Sequence, residues 1–234
     1  MSIAKNLTEI KSQLPAHVAL VAVSKTKPVS DLMEAYNAGQ RIFGENKIQE
    51  MTEKWEQMPK DIEWHMIGHV QTNKVKFMAE YVSLIHGVDS LKLLQEINKQ
   101  AKKHNRIIDC LLQIHIAKEE TKFGLDEEEL NEILTRVYEQ CEAKQVQHDK
   151  SEFENIRIVG LMGMATFTQN TNQIEKEFNH LKSIFDKLSK IPFTHNLKPN
   201  ILSMGMSGDY QLAISCGSTM VRIGSSIFGN RNYQ

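Results

Sequence analysis

The sequence predicts an α/β fold, a single (β/α)8 TIM barrel over residues 1–234 with an extra helix at its N-terminus. The chain of 234 residues suits one large α/β domain. Eight short apolar segments, each followed by a helix or a helical turn, begin near residues 18, 41, 62, 82, 107, 156, 201 and 219. The first of them, residues 18–23, is apolar without interruption, which is typical of a parallel strand buried on both faces. A doubly wound open sheet is the alternative fold.

The N-terminal segment, residues 1–14, is predicted to be an amphipathic helix. Ile3, Leu7, Ile10 and Leu14 fall on one face of it. The segment lacks the basic start and apolar centre of a signal peptide, so we expect a cytoplasmic protein. The longest apolar runs are strand-sized, which excludes a bilayer span.

Capping residues and helix breakers mark several of the predicted helix ends. Ser30 is a candidate cap for the helix after the first strand, and Gly39 ends that helix. Asp89 or Ser90 caps a later helix, and Asp126 with Glu129 three residues on predicts a capping box. The predicted helices and helical turns span residues 29–38, 46–58, 72–80, 90–104, 126–143, 172–190 and 208–215. Residues 145–155 are polar and aperiodic, and we interpret them as a surface loop.

Charge and cysteine content exclude several classes of function. The chain carries 28 basic and 29 acidic residues, for a net charge of −1, which does not favour binding to nucleic acid or to a charged membrane. The cysteines are odd in number and far apart, which argues against a disulfide framework and a cysteine-built zinc site. Cys110 is predicted to lie in the core, and Cys216 lies near a suspected site.

Lys25 is the first candidate functional residue. Strand side chains alternate, so Val21, Val23 and Lys25 share one face, and Lys25 lies at the carboxyl end of that row. The active face of a TIM barrel is the end where its strands finish. Lys25 is therefore either a solvated lysine at a strand exit or an amine at the barrel mouth that can form a Schiff base.

Small residues follow the seventh and eighth predicted strands, where barrels often bind phosphate. Ser207, Gly224, Ser225 and Ser226 would let backbone N–H groups approach an anion. Ordinary tight turns are the alternative interpretation. A phosphate site together with a strand-end lysine favours pyridoxal 5′-phosphate (PLP) as a cofactor.

Arg222 lies two residues before Gly224 and is predicted to face the cofactor's ring. A permanent charge near the pyridine nitrogen would disfavour protonation of that nitrogen and limit carbanion chemistry. A salt bridge at the barrel rim is the alternative role.

Other polar residues near the strand ends carry weaker signals. The i,i+4 pair His65 and His69 lies on a strand and its exit, so a metal pair is disfavoured. His115 is expected in the core or bonded to backbone. The charged segment 118–124 is either a mobile loop over the mouth or a solvated turn. Four methionines are predicted to fill the barrel interior: Met162, Met164, Met204 and Met206.

Several stretches together resemble the pyridoxal phosphate homeostasis protein family, single-domain barrels similar to the N-terminal domain of alanine racemase. They occur in family order and span nearly the whole chain. The main ones are residues 22–28 (AVSKTKP), 43–46 (FGEN), 64–68 (WHMIG), 121–124 (TKFG), 202–207 (LSMGMS) and 217–224 (GSTMVRIG).

The resemblance implies a set of cofactor contacts. Lys25 would carry PLP as an internal imine, and Asn46 would lie beside the cofactor. Met206, Ser207, Gly224 and Ser225 would hold the phosphate. Arg222 would contact the pyridine nitrogen.

The resemblance also implies a function: a PLP-binding protein of vitamin B6 and amino-acid homeostasis, without established catalysis. PLP-dependent apoenzymes would be its recipients, and a monomer is expected. A PLP-dependent amino-acid racemase of the alanine racemase type is the alternative. That activity needs a second domain, which a chain ending five residues after Gly229 is expected to lack. It also needs a proton donor opposite Lys25, for which Tyr210 and His65 are candidates. A barrel that binds another phosphorylated metabolite is the third possibility.

Overall fold

Eight parallel strands close into a barrel in the computed structural model, which describes residues 2–119, 122–146, 153–192 and 194–229. The strands lie side by side in chain order, and the first also pairs with the eighth. This confirms the predicted TIM barrel and excludes an open sheet. The strands are β1 (Ala19–Val23), β2 (Ile42–Glu45), β3 (Glu63–Met66), β4 (Leu84–Val88), β5 (Ile108–Gln113), β6 (Ile156–Met162), β7 (Leu197–Met206) and β8 (Met220–Ile223).

Helices follow most of the strands and pack around the outside of the barrel. They are α1 (Ile3–Gln13), α2 (Val29–Asn37), α3 (Ile48–Gln57), α4 (Leu91–Lys103), α5 (Glu127–Val146), α6 (Thr171–Leu188), α7 (Tyr210–Ser215) and α8 (Ser225–Phe228). The segment predicted as a helix over residues 72–80 is a short 3₁₀-helix, Thr72–Phe77. β7 begins at Leu197, earlier than the predicted start at residue 201.

Two predicted caps are confirmed and one is wrong. The Ser90 hydroxyl accepts from Leu93 N at the start of α4. At α5, Asp126 Oδ1 accepts from Glu129 N while Glu129 Oε2 accepts from Asp126 N, which is a complete capping box. Ser30 does not cap α2, because that helix begins directly after Pro28 and Ser30 already lies in its first turn. Most of the predicted surface loop, residues 147–152, lies outside the described residues.

The extra N-terminal helix is confirmed and is fastened to the end of the barrel sequence. Leu7 and Ile10 of α1 are buried. α1 packs against α2 and α8, and Asn6 Nδ2 donates to Ile227 O at 3.0 Å. The first helix therefore covers the region where the first and last strands meet.

Strand alternation divides the apolar core into an inner and an outer part. The barrel interior holds one small cluster: Val21, Leu84, Leu111, Val159, Met162 and Met220. The larger cluster lies between strands and helices and includes the buried Cys110, as predicted. Met162 fills the interior as predicted, but Met204 belongs to the outer cluster, because its neighbour Ser203 faces the interior. In the described part of the chain, no helix combines the length and apolar character needed to cross a bilayer.

Candidate functional site

A cavity of about 610 Å³ opens at the end of the barrel where the strands finish. The loops after most of the strands contribute to its walls. All seven predicted site residues line it: Lys25, Asn46, Met206, Ser207, Arg222, Gly224 and Ser225. The fold therefore brings together residues that lie almost 200 positions apart in the sequence.

Lys25 lies in a turn directly after β1. Ser24 is fully buried and faces the surrounding helices, so Lys25 faces the cavity together with Val23. The turn is closed by a hydrogen bond from Lys27 N to Ser24 O at 3.1 Å. Lys25 is partly exposed and lines the cavity, and a position of this kind suits an amine at the barrel mouth.

Arg222 lies at the floor of the cavity and is only 4% exposed. One guanidinium nitrogen donates to Ser203 O at 3.0 Å and to Ser203 Oγ at 2.6 Å, and the other donates to Gly163 O at 3.1 Å. These contacts replace the salt bridge considered from the sequence. Burial lowers the pKa of Arg222 to about 10, against the opposing effect of Asp209, so the group remains a cation at neutral pH.

A chain of hydrogen bonds continues from Arg222 through the barrel interior. Ser203 Oγ lies 3.2 Å from His86 Nδ1, and His86 Nε2 lies 3.1 Å from His65 Nδ1. A guanidinium only donates, so the Ser203 hydroxyl accepts from Arg222. The tautomers of His86 and His65 set the direction of the two remaining hydrogen bonds. Its four members, Arg222, Ser203, His86 and His65, are called the inner polar chain below.

The histidines of the inner polar chain are neutral. Burial lowers the pKa of His65 to about 3, and burial with the charge of Arg222 lowers the pKa of His86 well below its usual value. Neither histidine lines the cavity. Their bonding therefore serves to hold Arg222 in place.

The predicted phosphate region lies between the end of β7 and the start of α8. Gly224 N donates to Ser207 Oγ at 3.2 Å, which joins the two loops. A Cβ atom at Gly224 would lie 3.0 Å from Val23 O, which is closer than most Cβ contacts, so glycine favours this close approach to β1. Asp209 Oδ1 accepts from Met206 N at 2.6 Å, and burial raises the pKa of Asp209.

Sequence reasoning missed several cavity residues on the loops after β3, β5 and β6. The rings of His69 and Phe123 stack with centroids 4.1 Å apart, and His69 Nδ1 lies 3.0 Å from Asp89 Oδ2. Phe167 is 93% exposed at the rim. Their only sequence signal is an aromatic residue within a polar loop after a predicted strand. The cavity-lining residues outside the seven predicted site residues include Lys27, His69, Gln113, Phe123, Met164, Phe167 and Asp209.

The described residues of the loop after β5 are bonded to the loop after β6. Lys118 N donates to Thr166 Oγ1 at 3.0 Å, and Lys122 Nζ donates to Ala165 O at 2.6 Å. Phe167 N donates to Glu119 Oε1 at 2.6 Å. Glu120 and Thr121 lie outside the described residues.

Neither candidate proton donor faces Lys25 across the cavity. Tyr210 Oη donates to Gln13 Oε1 at 2.9 Å, away from the cavity, and His65 belongs to the inner polar chain. His115 Nε2 lies 3.0 Å from Glu119 O, so its expected backbone contact is confirmed. Within the described ranges, no three His, Cys, Asp or Glu side chains are arranged to hold a metal ion.

Comparison with known proteins gives consistent matches over the whole barrel. The family model described as alanine racemase, N-terminal domain, matches residues 1–232. A protein of Aquifex aeolicus named pyridoxal phosphate homeostasis protein is 37% identical over 215 residues, which cover 92% of this chain and 87% of the relative.

Solved structures show the same similarity. PipY of Synechococcus elongatus, solved with PLP bound, is 33% identical with a TM-score of 0.81, and the match covers 97% of this chain and 100% of PipY. Alanine racemase from E. faecalis is 16% identical with a TM-score of 0.74, over 98% of this chain and 58% of the racemase. This last similarity concerns the fold alone.

Proposed function

The chain belongs to the alanine racemase N-terminal domain family, and from this premise we propose that it binds PLP on Lys25 and acts in intracellular PLP and amino-acid homeostasis. The observation that carries the proposal is the single cavity at the barrel mouth. Lys25, Arg222 and the small residues after β7 and β8 all line that cavity. The relatives named for PLP homeostasis and the PLP-bound PipY structure support the proposal.

The residues present fit PLP in size and chemistry. A cavity of about 610 Å³ lies within the usual range for small cofactors. Lys25 supplies a primary amine for the aldehyde. Ser207 and Ser225 supply hydroxyl donors beside Gly224, at a place where the chains approach closely, which suits a phosphate.

Each of these residues then has a defined role. Lys25 would hold the cofactor through an imine between its Nζ and the aldehyde carbon, with loss of water. Met206, Ser207, Gly224 and Ser225 would hold the phosphate, and Asn46 would lie beside the ring. When bound, PLP supplies a carbonyl for amines and a ring that can accept electrons.

Arg222 would face the pyridine nitrogen. Its guanidinium is held on three acceptors by Ser203 and Gly163. A fixed cation at that position disfavours protonation of the ring nitrogen and weakens the ring as an electron sink. This arrangement favours binding and storage of the cofactor over catalysis that uses its ring as an electron acceptor.

We also propose that the protein is a carrier rather than a racemase. Two-base racemisation needs a proton donor on the face opposite Lys25, and the two candidates, Tyr210 and His65, are bonded outside the cavity. PLP-dependent apoenzymes are the proposed recipients. Residues 1–234 would act as one PLP-binding domain, in the cytoplasm and as a monomer.

The decisive experiment is borohydride reduction of the purified protein with PLP, followed by peptide mass spectrometry. We expect a pyridoxyl adduct on Lys25 that Lys25→Ala abolishes. Lys182→Ala, which removes an outer-surface lysine, should leave the adduct unchanged. An adduct on Lys27, or an unmodified Lys25 in excess PLP, would overturn the proposal.

A second assay separates the carrier from the racemase. Incubation with L-alanine should give no D-alanine above that formed by free PLP. Enantiomer production that Lys25→Ala abolishes would favour the racemase.

A further inference from the structure

Three charged side chains lie directly behind the turn that carries Lys25. Lys54 Nζ lies 2.7 Å from Glu45 Oε1 and 2.7 Å from Glu50 Oε1. The Lys54 side chain is 6% exposed and that of Glu45 is fully buried. We call Glu45, Glu50 and Lys54 the buried ion cluster. It lies between the barrel and α3, on the side of the strands opposite the cavity.

The buried ion cluster is bonded to the residues on both sides of Lys25. Lys54 Nζ donates to Ser24 O at 2.8 Å, and Ser24 Oγ donates to Glu45 Oε1 at 2.6 Å. On the other side, Thr26 N donates to Glu50 Oε1 at 2.6 Å. The backbone that carries Lys25 is therefore fixed before and after it.

Thr26 has an unfavourable backbone conformation in this turn. Its φ angle is +63°, in the left-handed region that β-branched residues seldom adopt. Such strain persists only where the surroundings impose it. Two contacts help to impose it: Thr26 N donates to Glu50 Oε1, and Lys54 Nζ donates to Ser24 O.

We propose that the buried ion cluster is a positioning device that holds the strained turn and so directs the Lys25 amine into the cavity. Glu45, Glu50 and Lys54 are positioning residues, since none of them lines the cavity. The proposal rests on the proposed function, because it assigns these residues a role toward the same lysine. It adds that the cofactor affinity is set partly outside the cavity.

A first test uses the cofactor-free protein. Hydrogen exchange at the Thr26 amide should accelerate about tenfold in Glu50→Ala, because the amide loses its acceptor. Glu50→Gln keeps an acceptor oxygen and should restore protection. Equal exchange rates in wild type and Glu50→Ala would overturn the proposal, whether or not PLP binds.

A second test measures imine formation with PLP by absorbance. Lys54→Met should weaken binding about tenfold, because the turn is no longer held. Glycine adopts a positive φ without strain. In a Thr26→Gly background, Lys54→Met should therefore weaken PLP binding by less than about twofold. Equal losses in both backgrounds would show that the cluster does not act through the turn, and would overturn the proposal.

Controls separate this inference from its premise. Lys182→Met breaks a surface pair of the same i,i+4 spacing and should leave imine formation unchanged. If Lys54→Met fails to fold, Glu50→Ala and Glu50→Gln are compared in the same absorbance assay, with Gln expected to rescue. A wild type that forms no imine at Lys25 would overturn the proposed function, while the exchange test still decides the role of the cluster.

Discussion

Two buried polar groups approach the cavity from opposite sides of the barrel wall, and they differ in how charge is used. The buried ion cluster lies outside the strands and pairs one ammonium with two carboxylates. The inner polar chain lies inside the strands and joins one cation to a hydroxyl and two neutral rings. The cluster fixes backbone on each side of Lys25, whereas the chain fixes the direction of one side chain, Arg222.

Because of this difference, the two groups are sensitive to different perturbations. The buried ion cluster depends on its one cation, so removing Lys54 leaves Glu45 buried without a compensating charge. The inner polar chain depends on the neutrality of its histidines, so acid should disturb it first. Changes of charge and of pH should therefore affect the two groups differently.

Breaking the charge balance should have the largest effect. Lys54→Met is expected to lower the free energy of unfolding by about 3 kcal/mol, because Glu45 stays buried without its cation. Urea denaturation at neutral pH measures this loss. A loss below about 1 kcal/mol would mean that the cluster contributes no more to stability than a solvent-exposed ion pair does.

The loss of stability caused by Lys54→Met should also depend on pH. Burial raises the pKa of Glu45 even with Lys54 present, and removing Lys54 should raise it further. A carboxyl whose folded pKa is raised stabilises the fold below its unfolded pKa, and this contribution disappears as pH rises through the folded pKa. The loss caused by Lys54→Met should thus be smaller at about pH 5 than at about pH 8.

Acid should act mainly on the inner polar chain. Burial lowers the pKa of His65 to about 3, so the unfolded chain takes up a proton below about pH 6.5 that the folded chain excludes. Stability is therefore lost as pH falls from that value toward 3, by roughly 2 kcal/mol for His65 at about pH 5, and His86 acts in the same direction. Urea denaturation across this range measures the slope.

His65→Asn separates hydrogen bonding from titration. The asparagine side chain amide can replace Nδ1 as the hydrogen-bond partner of His86 but does not titrate. In this variant, the part of the pH dependence of the free energy of unfolding that comes from the buried histidines should fall to about half, since His86 remains. An unchanged slope would assign the acid sensitivity to other groups.

Relieving the strained turn at Thr26 should have a smaller effect on the free energy of unfolding. It should raise this free energy, whereas Lys54→Met lowers it. Thr26→Asn is expected to stabilise the protein by about 1 kcal/mol, because asparagine tolerates a positive φ better than a β-branched residue does. The matched reverse change is Asn105→Thr, at φ +52°, which should destabilise by a similar amount. Thermal unfolding of both variants checks the pair, and shifts of the same sign would contradict it.

The smallest effect should come from a surface pair with the spacing of Glu50 and Lys54. Lys182 Nζ lies 2.6 Å from Asp186 Oδ1, but Lys182 is partly exposed and Asp186 is exposed to solvent. Lys182→Met should change the free energy of unfolding by less than about 0.5 kcal/mol in urea denaturation. A larger loss would show that i,i+4 spacing, and not burial, sets the strength of the Lys54 contacts.

The sequence predicted the barrel and the cavity because both follow local rules. Alternation along β1 placed Lys25 on the cavity side, and small residues after β7 and β8 indicated a region of close approach. Apolar segments indicated where the strands lie, and caps such as Asp126 indicated where helices begin. The roles of the seven site residues remain predictions.

Contacts between distant segments could not be predicted in this way. His65 and His86 lie on different strands, and only the closed barrel brings their rings together with Ser203. Lys54 has the sequence context of a surface residue on α3, yet it is buried because Ser24 and Glu45 face it. Met204 shows the same limit, since one residue of strand register decides whether a side chain faces inward or outward.

The pairing of β1 with β8 has a consequence for synthesis on the ribosome. Ala19 pairs with Met220, so the barrel closes only after the intervening chain of about 200 residues has been made. At usual elongation rates this takes roughly 10–40 s, during which Lys25 has neither Arg222 nor Ser225 beside it. A nascent chain therefore has no closed barrel, and no complete cavity at its mouth, until the last strand leaves the exit tunnel.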